Sequence, residues 1–331
     1  MVCWYSQGPR PSLPLVVSPE QVPMNSRQLT DWAKENVARI QANLHVHGAI
    51  LFRGFLVDTP EQFQEFAALF CGEFGDYKGG NTPRTNVGGH VFTATEYPPD
   101  EKISMHNEAS YLRVMPRIVL FYCAKPADSG GQTPLADSRR ILAHIDASVR
   151  ERFERAGVCY VNNMHNGSGL GRSWQRVFGT EHRSEVERRL REDHYDFEWK
   201  EDGSLRTSIV APATAIHPVT GEAAWINQAE QWHPSGLEPE TREALLDIME
   251  DEDLPHNAYF GDGSPLDEIE LEQIRAAMSA EERVFDWQQG DVLLCDNLLV
   301  MHGRRPFTGE RRVLVAMGWR AVVEEKAPSA A

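Results

Sequence analysis

The feature that most constrains the fold is a pair of metal-binding side-chain types, His106 and Glu108, whose expected partner, His302, lies far along the chain. Residues two apart on a β-strand point to the same face, so His106 and Glu108 could both reach one metal ion. Two imidazoles and one carboxylate form the donor set that holds ferrous iron while leaving coordination positions open. Because His302 is too distant for a local metal loop, a folded sheet must gather the three side chains.

The segments around these residues have strand patterns. Residues 103–111 alternate between two faces, as in a strand with one polar face, and Asn107 is the exception. Residues 292–301 form a mostly apolar, β-preferring run that follows the turn signal at Gly290. His302 is therefore expected at the end of a buried strand.

A further strand is predicted at residues 311–319. Val313, Val315, Met317 and Trp319 share a bulky apolar face, and the other face carries Arg312 and small residues, which suits a cavity. A guanidinium on that face could clamp a carboxylate with two parallel hydrogen bonds. We therefore predict that Arg312 lines the site, whereas Arg311 points outward unless a β-bulge exchanges the two.

The order of several motifs resembles one known family. H-x-E at 106–108, G-G-x-T at 130–133, W-x-x-G-D at 287–291 and H-G-R-x-P-F-x-G-x-R-R at 302–312 resemble motifs of the iron(II)- and 2-oxoglutarate-dependent dioxygenases of the taurine dioxygenase superfamily. With glutamate in place of the commoner aspartate, the H-x-E motif resembles that of clavaminate synthase and the syringomycin-type aspartyl hydroxylases. The resemblance extends over roughly residues 35–322.

The resemblance implies a set of site residues and cofactors. His106, Glu108 and His302 would bind Fe(II), while Thr133 and Arg312 would hold the distal carboxylate of 2-oxoglutarate. Dioxygen would be the second cosubstrate, and succinate and carbon dioxide would be released as a C–H bond is oxidised. The outcome could be hydroxylation, or desaturation or cyclisation by the same chemistry. Halogenation is disfavoured, because related halogenases have a small residue in place of Glu108.

The predicted fold is mainly β with helices: a double-stranded β-helix, also called a jelly roll or cupin-like core, with helical insertions. We expect a single domain over 1–331 with its core at about 35–322, a helical insertion at about 135–280 and a flexible C-terminal tail at 324–331. Helices are predicted at 26–42, 60–70, 138–156, 179–193, 238–250 and 267–278. His45 and His47 are interpreted as ordinary strand residues.

The substrate is predicted less directly than the cofactors. Basic, amide and aromatic side chains near the motifs are candidates to line the pocket: Arg84, Asn86, Asn107, Tyr111, Arg113, His165, Arg304 and Arg305. Several of them could bind a carboxylate, which indicates an amino acid or an amino-acid derivative. The resemblance to aspartyl hydroxylases implies one possible form of the substrate, a thioester bound to a carrier protein in secondary-metabolite (nonribosomal peptide) biosynthesis. A free amino acid is the alternative.

Composition excludes several classes of partner. A net charge of −16 and a pI near 5.2 argue against nucleic acid or an anionic membrane as the main partner. The odd number of cysteines, five, without a C-x-x-C pair, suits a reducing cytoplasm. No export signal is expected, and no apolar run reaches membrane-spanning length.

Two alternatives to an oxygenase stay open at this point. One is a non-catalytic jelly-roll protein that binds a metal or a metabolite as a sensor or accessory component. The other is a zinc hydrolase, since three ligands could activate a water molecule.

Overall fold

The computed structural model describes residues 2–6, 12–74, 84–112 and 114–322, without the side chains of 319–322. The predicted C-terminal tail at 324–331 and the substrate candidate Arg113 lie outside these residues. The described strands are β1 Val2–Ser6, β2 Leu15–Pro19, β3 Met24–Asn25, β4 Ala49–Phe52, β5 Phe55–Leu56, β6 Asn86–Gly88, β7 Val91–Thr93, β8 Ile103–His106, β9 Val114–Lys125, β10 Ser129–Gly130, β11 Leu135–Asp137, β12 Val158–Met164, β13 Asp196–Trp199, β14 Leu205–Ala211, β15 Thr214–Ile216, β16 Ala223–Trp225, β17 His256–Phe260, β18 Val292–Asp296, β19 Val300–Arg304, β20 Phe307–Thr308 and β21 Arg312–Val322.

Helices flank and interrupt these strands. The described α-helices are α1 Ser26–His47, α2 Pro60–Cys71, α3 Ser138–His144, α4 Ala147–Ala156, α5 Trp174–Phe178, α6 Arg183–Glu192, α7 Ala229–Trp232, α8 Pro239–Leu246 and α9 Glu268–Glu281. Short 3-10 turns lie at Pro234–Gly236 and Asp251–Asp253. The helices predicted at 26–42, 60–70 and 267–278 are confirmed as α1, α2 and α9, each slightly longer than predicted.

Helix α1 begins and ends where its capping residues lie. Asn25 Oδ1 accepts from the Gln28 backbone N–H at 2.9 Å, and Gln28 Oε1 accepts from the Asn25 N–H at 3.0 Å, which forms a capping box. The helix ends only at Gly48, which takes a φ of +74°. The strand interpretation of His45 and His47 is therefore wrong, since both lie in the last turn of α1.

The larger sheet has eight strands in the order β1-β2-β4-β18-β9-β21-β7-β6. Helices α1 and α2 cover its outer face, where Leu294 and Leu314 join one hydrophobic cluster with Phe63. The inner face carries a second cluster, which includes Phe121 and Val315. Both faces are buried, so successive side chains of a strand enter different cores.

A smaller sheet, β11-β19-β8, packs over the inner face of the larger one. Leu135 and Val300 from the smaller sheet share one cluster with Val119 and Leu293 from the larger sheet. This arrangement confirms the predicted mainly β fold with a jelly-roll, cupin-like core. In the smaller sheet, β19 lies between β8 and β11, and His302 pairs directly with His106 across the β8–β19 ladder.

The chain between β11 and β18 forms a layer with its own sheet. Four strands in the order β13-β14-β12-β17 lie among helices α3 to α9. The insertion predicted as helical at about 135–280 contains helices but also strands that were not predicted, and β14 shows the period-two burial pattern of a half-buried strand. The helix predicted at 138–156 is two helices, because α3 ends before Ile145.

The insertion packs onto the smaller sheet. Met105 of β8 and Met301 of β19 lie in one hydrophobic cluster with Tyr160, Trp225 and Leu271 of the insertion. The insertion thus contacts the strands that carry His106 and His302. The organisation as a single domain over 1–331 stays a prediction.

Among the described residues, none of the helices has the length and apolar character needed to cross a membrane.

Candidate active site

His106, Glu108 and His302 come together at one end of the smaller sheet. Their potential ligand atoms all lie within 4.8 Å of one another. The two imidazole rings are 4.7 Å apart between centroids, and His302 Nε2 is 3.7 Å from Glu108 Oε2. Two imidazoles and one carboxylate at these separations could hold a single metal ion.

The hydrogen bond of His106 suits a metal ligand. Its Nδ1 lies 2.8 Å from the Ser104 carbonyl oxygen, which fixes the hydrogen on Nδ1 and leaves the Nε2 lone pair available. Burial lowers the pKa of His106 to about 4, and the neighbouring His302 adds to this effect. The ring is therefore neutral at physiological pH, as metal binding requires.

Glu108 does not lie on the strand that was predicted for it. Strand β8 ends at His106, and Glu108 lies in the turn that follows, in which Ala109 has a φ of +56°. The predicted strand over residues 103–111 is therefore too long. Glu108 reaches the two histidines because the chain turns directly after β8, and its longer side chain spans the remaining gap.

Arg84 forms a buried ion pair with this carboxylate. Its Nη2 lies 2.7 Å from Glu108 Oε2, and the two side chains are 3% and 7% exposed. Burial by itself would raise the pKa of Glu108, but Arg84 and the two histidines hold it well below its usual range. Glu108 is therefore ionised, as a metal-binding carboxylate must be.

The pocket beside these residues is lined by both sheets. Within the described part of the chain, its lining is Arg84, Ala94, Thr95, Ile103, His106, Phe121, Thr133, His302, Gly303, Arg304, Arg311 and Val313. Phe121 packs edge-on against the ring of His302, with centroids 4.9 Å apart. The pocket thus joins the histidines to a group of arginines.

Arg311, not Arg312, lies in the pocket. The β9–β21 register shifts between Arg312 and Val313, where β9 has one extra residue, but Arg311 and Val313 both line the pocket and Arg312 is exposed. The prediction for Arg312 is wrong because the small residues of β21 were taken to mark a cavity. They mark a close helix contact instead: a Cβ on Gly318 would lie 2.3 Å from Cys71 Cα in α2.

The environment of Arg311 suits an anionic ligand. Its Nε donates to the Gly131 carbonyl oxygen at 3.0 Å, and a Cβ on Gly131 would lie 2.9 Å from Arg311 Cδ, so only glycine allows this approach. Burial lowers the pKa of Arg311 to about 10, with Arg304 adding to the effect. No carboxylate of the described residues pairs with it, so a bound carboxylate would offset the cost of burying this charge.

Thr133 lies in the same pocket with its hydroxyl partly used. Trp287 Nε1 donates to Thr133 Oγ1 at 3.0 Å. The hydroxyl oxygen therefore accepts one hydrogen bond, and its own hydrogen can be donated to a ligand. The tryptophan comes from the W-x-x-G-D motif and the threonine from the G-G-x-T motif, which explains why both motifs accompany the histidines.

The predicted substrate residues separate into two groups. Arg84 and Arg304 line the pocket, although Arg304 donates to the carbonyl oxygens of Tyr97, Pro98 and Glu101, which hold it in the wall. The remaining described candidates lie elsewhere: Asn86 is exposed in a hairpin, Asn107 is fully buried among backbone partners, Tyr111 packs against Trp232, His165 bridges to Ser173, and Arg305 pairs with Glu282.

Several lining residues had no signal strong enough to single them out. Phe121 and Val313 are apolar strand residues. Whether they point toward the pocket depends on which side of the larger sheet the smaller sheet covers. Thr95 belongs to the segment Thr93 to Tyr97, which supports the family resemblance, so the resemblance could have identified it. Asn297, which holds the backbone of Glu108, follows the β18 strand without any pattern of its own.

A second cluster has the same donor types but a different hydrogen-bond pattern. The potential ligand atoms of His45, His217 and Asp296 also lie within 4.8 Å of one another. However, His217 Nδ1 accepts the Thr220 N–H at 3.0 Å, and His217 Nε2 lies 3.0 Å from Asp296 Oδ2. The ring hydrogen must therefore be on Nε2, where it is donated to Asp296, so neither nitrogen of His217 can bind a metal.

The fold and the pocket thus define a jelly-roll protein with a candidate metal site. The family model for the taurine catabolism dioxygenase TauD, TfdA family matches residues 10–317. The dapdiamide synthesis protein DdaC of Enterobacter agglomerans is 40% identical over 270 residues, which cover 82% of each chain. A clavaminate synthase-like protein of Arabidopsis thaliana is 33% identical over 318 residues, which cover 92% of this chain and 93% of the relative.

A solved structure agrees in fold. A structure of PvcB, described as an Fe, α-ketoglutarate-dependent oxygenase from an isonitrile synthetic pathway, superposes with a TM-score of 0.51 at 18% identity, over 96% of this chain and 90% of PvcB. A second structure of PvcB, from Pseudomonas aeruginosa, superposes with a TM-score of 0.54 at 17% identity, over 96% of this chain and 90% of PvcB. The chain belongs to the TauD, TfdA family. It is an iron- and 2-oxoglutarate-dependent oxygenase that uses dioxygen, which confirms the resemblance and excludes the non-catalytic alternative.

Proposed function

We propose that His106, Glu108 and His302 bind the Fe(II) of this oxygenase, and that Arg311 with Thr133 binds the distal carboxylate of 2-oxoglutarate. The observation that carries this assignment is the single pocket that Arg311 shares with the two histidines. His106 is neutral at physiological pH, and Arg311 is a buried cation without a carboxylate partner among the described residues.

The residues of the chain then have distinct tasks. When bound, iron and 2-oxoglutarate supply the activation of dioxygen that oxidises a C–H bond, with release of succinate and carbon dioxide. Ser104 orients His106, Arg84 keeps Glu108 ionised, and Phe121 excludes water from one side of His302. Position is thus the main contribution of the protein.

We further propose an amino acid or an amino-acid derivative as substrate, hydroxylated at an unactivated carbon in a secondary-metabolite pathway. Relatives named for dapdiamide synthesis and for an isonitrile synthetic pathway support this class. Arg84 is the residue of the pocket that could receive a substrate carboxylate once a metal shares Glu108, because its guanidinium lies beside the metal-binding atoms. A thioester on a carrier protein lacks that α-carboxylate, so Arg84 favours the free acid.

The location of the protein is part of the same proposal. All five cysteines are free in the structure, and three of them are buried. Free buried thiols and a ferrous cofactor both suit the reducing cytoplasm.

Two measurements test this function. Anaerobic protein with Fe(II) and 2-oxoglutarate should show the weak visible charge-transfer band of a chelated keto acid, and absence of the band would overturn the cofactor assignment. Succinate release across free amino acids and carrier-loaded aminoacyl thioesters should be stimulated by a free amino acid. Stimulation by the thioesters alone would favour the carrier-bound substrate.

Product analysis separates the remaining outcomes. Hydroxylation adds one oxygen atom to the substrate, whereas desaturation or cyclisation removes two hydrogen atoms. Turnover with Zn(II) in place of iron, without consumption of 2-oxoglutarate, would instead indicate a hydrolase.

A further inference from the structure

The turn that carries Glu108 has a backbone conformation that needs support. It follows β8 directly, and Ala109 lies in the left-handed region with a φ of +56°. Residues other than glycine rarely adopt this region, and such strain persists only where surrounding contacts impose it. The contacts that impose it here come from buried side-chain amides.

Asn297 binds both backbone polar groups of Glu108. Its Oδ1 accepts from the Glu108 N–H at 2.7 Å, and its Nδ2 donates to the Glu108 carbonyl oxygen at 2.9 Å. The same Nδ2 donates to the Pro116 carbonyl oxygen at 2.7 Å. One fully buried side chain thus fixes the position and the rotation of the Glu108 backbone against strand β9.

Gln228 holds the other side of the turn. Its Nε2 donates to the Asn107 carbonyl oxygen at 2.8 Å and lies 3.0 Å from Ser110 Oγ. Asn107 in turn donates from Nδ2 to the Asn297 carbonyl oxygen at 2.6 Å. Residues on each side of Glu108 are therefore tied to groups that are distant in sequence and buried.

Asn297 also connects Glu108 to the strand of His302. It lies between β18 and β19, and β19 carries His302. The loop itself is held, because the Asn297 N–H donates to the Arg117 carbonyl oxygen at 2.7 Å and Asp296 Oδ1 accepts from the Leu298 N–H at 3.1 Å. The geometry between Glu108 and His302 therefore depends on a side chain that binds the Glu108 backbone and lies in the loop directly before the strand of His302.

We propose that Asn297 and Gln228 are positioning residues for the carboxylate ligand: they hold the turn of residues 107–110 so that Glu108 meets His106 and His302. This inference rests on the proposed metal ligands. It assigns a role in metal affinity to two amide side chains. Neither of them is a proposed metal ligand or a residue that lines the pocket. Loss of an outer partner of this kind typically weakens metal binding by about 10- to 100-fold.

Equilibrium titration of the full-length protein with Co(II), an air-stable replacement for Fe(II) whose visible spectrum reports coordination, tests the proposal. Asn297→Ala should weaken Co(II) binding by about 10- to 100-fold and alter the visible spectrum. Gln228→Met, which has a similar volume and lacks the donor, should weaken binding by about tenfold, at the lower end of the same range. The control is Asn257→Ala, which removes a buried amide that bonds to Asp251 and Tyr259 in the insertion.

The control separates positioning from general destabilisation. Both alanine variants should lower the midpoint of unfolding, but Asn257→Ala should bind Co(II) as the wild type does. A Co(II) dissociation constant for Asn297→Ala equal to that of Asn257→Ala would overturn the proposal. If Asn297→Ala does not fold, an unchanged constant for Gln228→Met would overturn it. Wild-type protein that binds no Co(II), or Glu108→Ala that binds it unchanged, would instead overturn the proposed metal site itself.

Discussion

Two clusters in this molecule have the same composition and different chemistry. His106, Glu108 and His302 lie at the pocket, and His45, His217 and Asp296 lie between α1 and the loop after β18; each set holds two histidines and one carboxylate within 4.8 Å. The difference is where the ring hydrogens point. Ser104 accepts from His106 Nδ1 and leaves Nε2 open, whereas the Thr220 N–H occupies His217 Nδ1 and directs the Nε2 hydrogen to Asp296.

The comparison teaches that donor types do not define a metal site by themselves. The partner of the second ring nitrogen decides whether a histidine has a lone pair for a metal. In the second cluster His217 and Asp296 satisfy each other, so that cluster ties the turn of the β15–β16 hairpin to the end of β18. The predictions below test this distinction, from the largest effect to the smallest.

The strongest test compares one ligand from each cluster. Glu108→Ala should weaken Co(II) binding by about 1000-fold, because the free energy of about 10–16 kcal/mol measured for structural metal sites is shared among few ligands. His45→Ala should leave the affinity and the stoichiometry of one ion per chain unchanged. Equilibrium titration measures both, and a loss of one bound ion in His45→Ala would break the distinction.

The next test compares two adjacent arginines. Arg311→Ala should raise the KM for 2-oxoglutarate by about 100-fold, since truncating one member of a buried charge pair costs about 2–5 kcal/mol. Arg312→Ala should leave this KM within about twofold, because Arg312 is exposed on the other face of β21. Succinate formation at varied 2-oxoglutarate gives both KM values. A larger effect of Arg312→Ala than of Arg311→Ala would support the sequence-based prediction that Arg312 lines the site.

A third buried carboxyl group sharpens the comparison, because no histidine or arginine of the described residues forms a hydrogen bond or an ion pair with Glu230. Burial raises the pKa of Glu230 from 4.5 to about 7, and Arg275 and Lys102 offset this only in part. The folded state therefore binds a proton that the unfolded state releases between pH 4.5 and 7, so stability falls as the pH rises through this range. Glu230→Gln should remove about 3 kcal/mol of this pH dependence.

Chemical denaturation at several pH values measures this effect. The wild type should lose stability between pH 4.5 and 7, and Glu230→Gln should give a flatter profile over that range. Parallel profiles for the two proteins would show that Glu230 does not titrate in this range.

The smallest effect is expected in the second cluster. His217→Asn keeps an acceptor for the Thr220 N–H and removes the donor to Asp296. It should lower the free energy of unfolding by about 1.5–3 kcal/mol, the usual contribution of a hydrogen bond to a charged group. Co(II) stoichiometry should stay at one ion per chain, and a decrease measured by titration would contradict the structural role of His217.

Sequence reasoning reached the family and the jelly-roll core because these depend on ordered motifs. The G-G-x-T and W-x-x-G-D motifs converge on one contact, from Trp287 to Thr133, so their order carries spatial information. Which side of β21 points into the pocket could not be predicted in the same way. Small residues favour a cavity and a close helix equally, and only the packing of α2 against Gly318 decides between them.

The strands of the insertion and the second cluster were missed for a related reason. Strand β12 pairs only with strands that lie far away in sequence, β14 and β17. His45 meets His217 only because α1 continues to Gly48 and the hairpin at β15 folds back beside it. Contacts of this kind depend on tertiary structure, which local patterns do not encode.

Anomalous diffraction from anaerobic crystals that contain Fe(II) and 2-oxoglutarate tests the central distinction most directly. We predict one iron peak per chain, coordinated by His106 Nε2, Glu108 and His302, with the distal carboxylate of 2-oxoglutarate on Arg311. An iron peak between His45, His217 and Asp296, or a 2-oxoglutarate molecule bound away from Arg311, would contradict it.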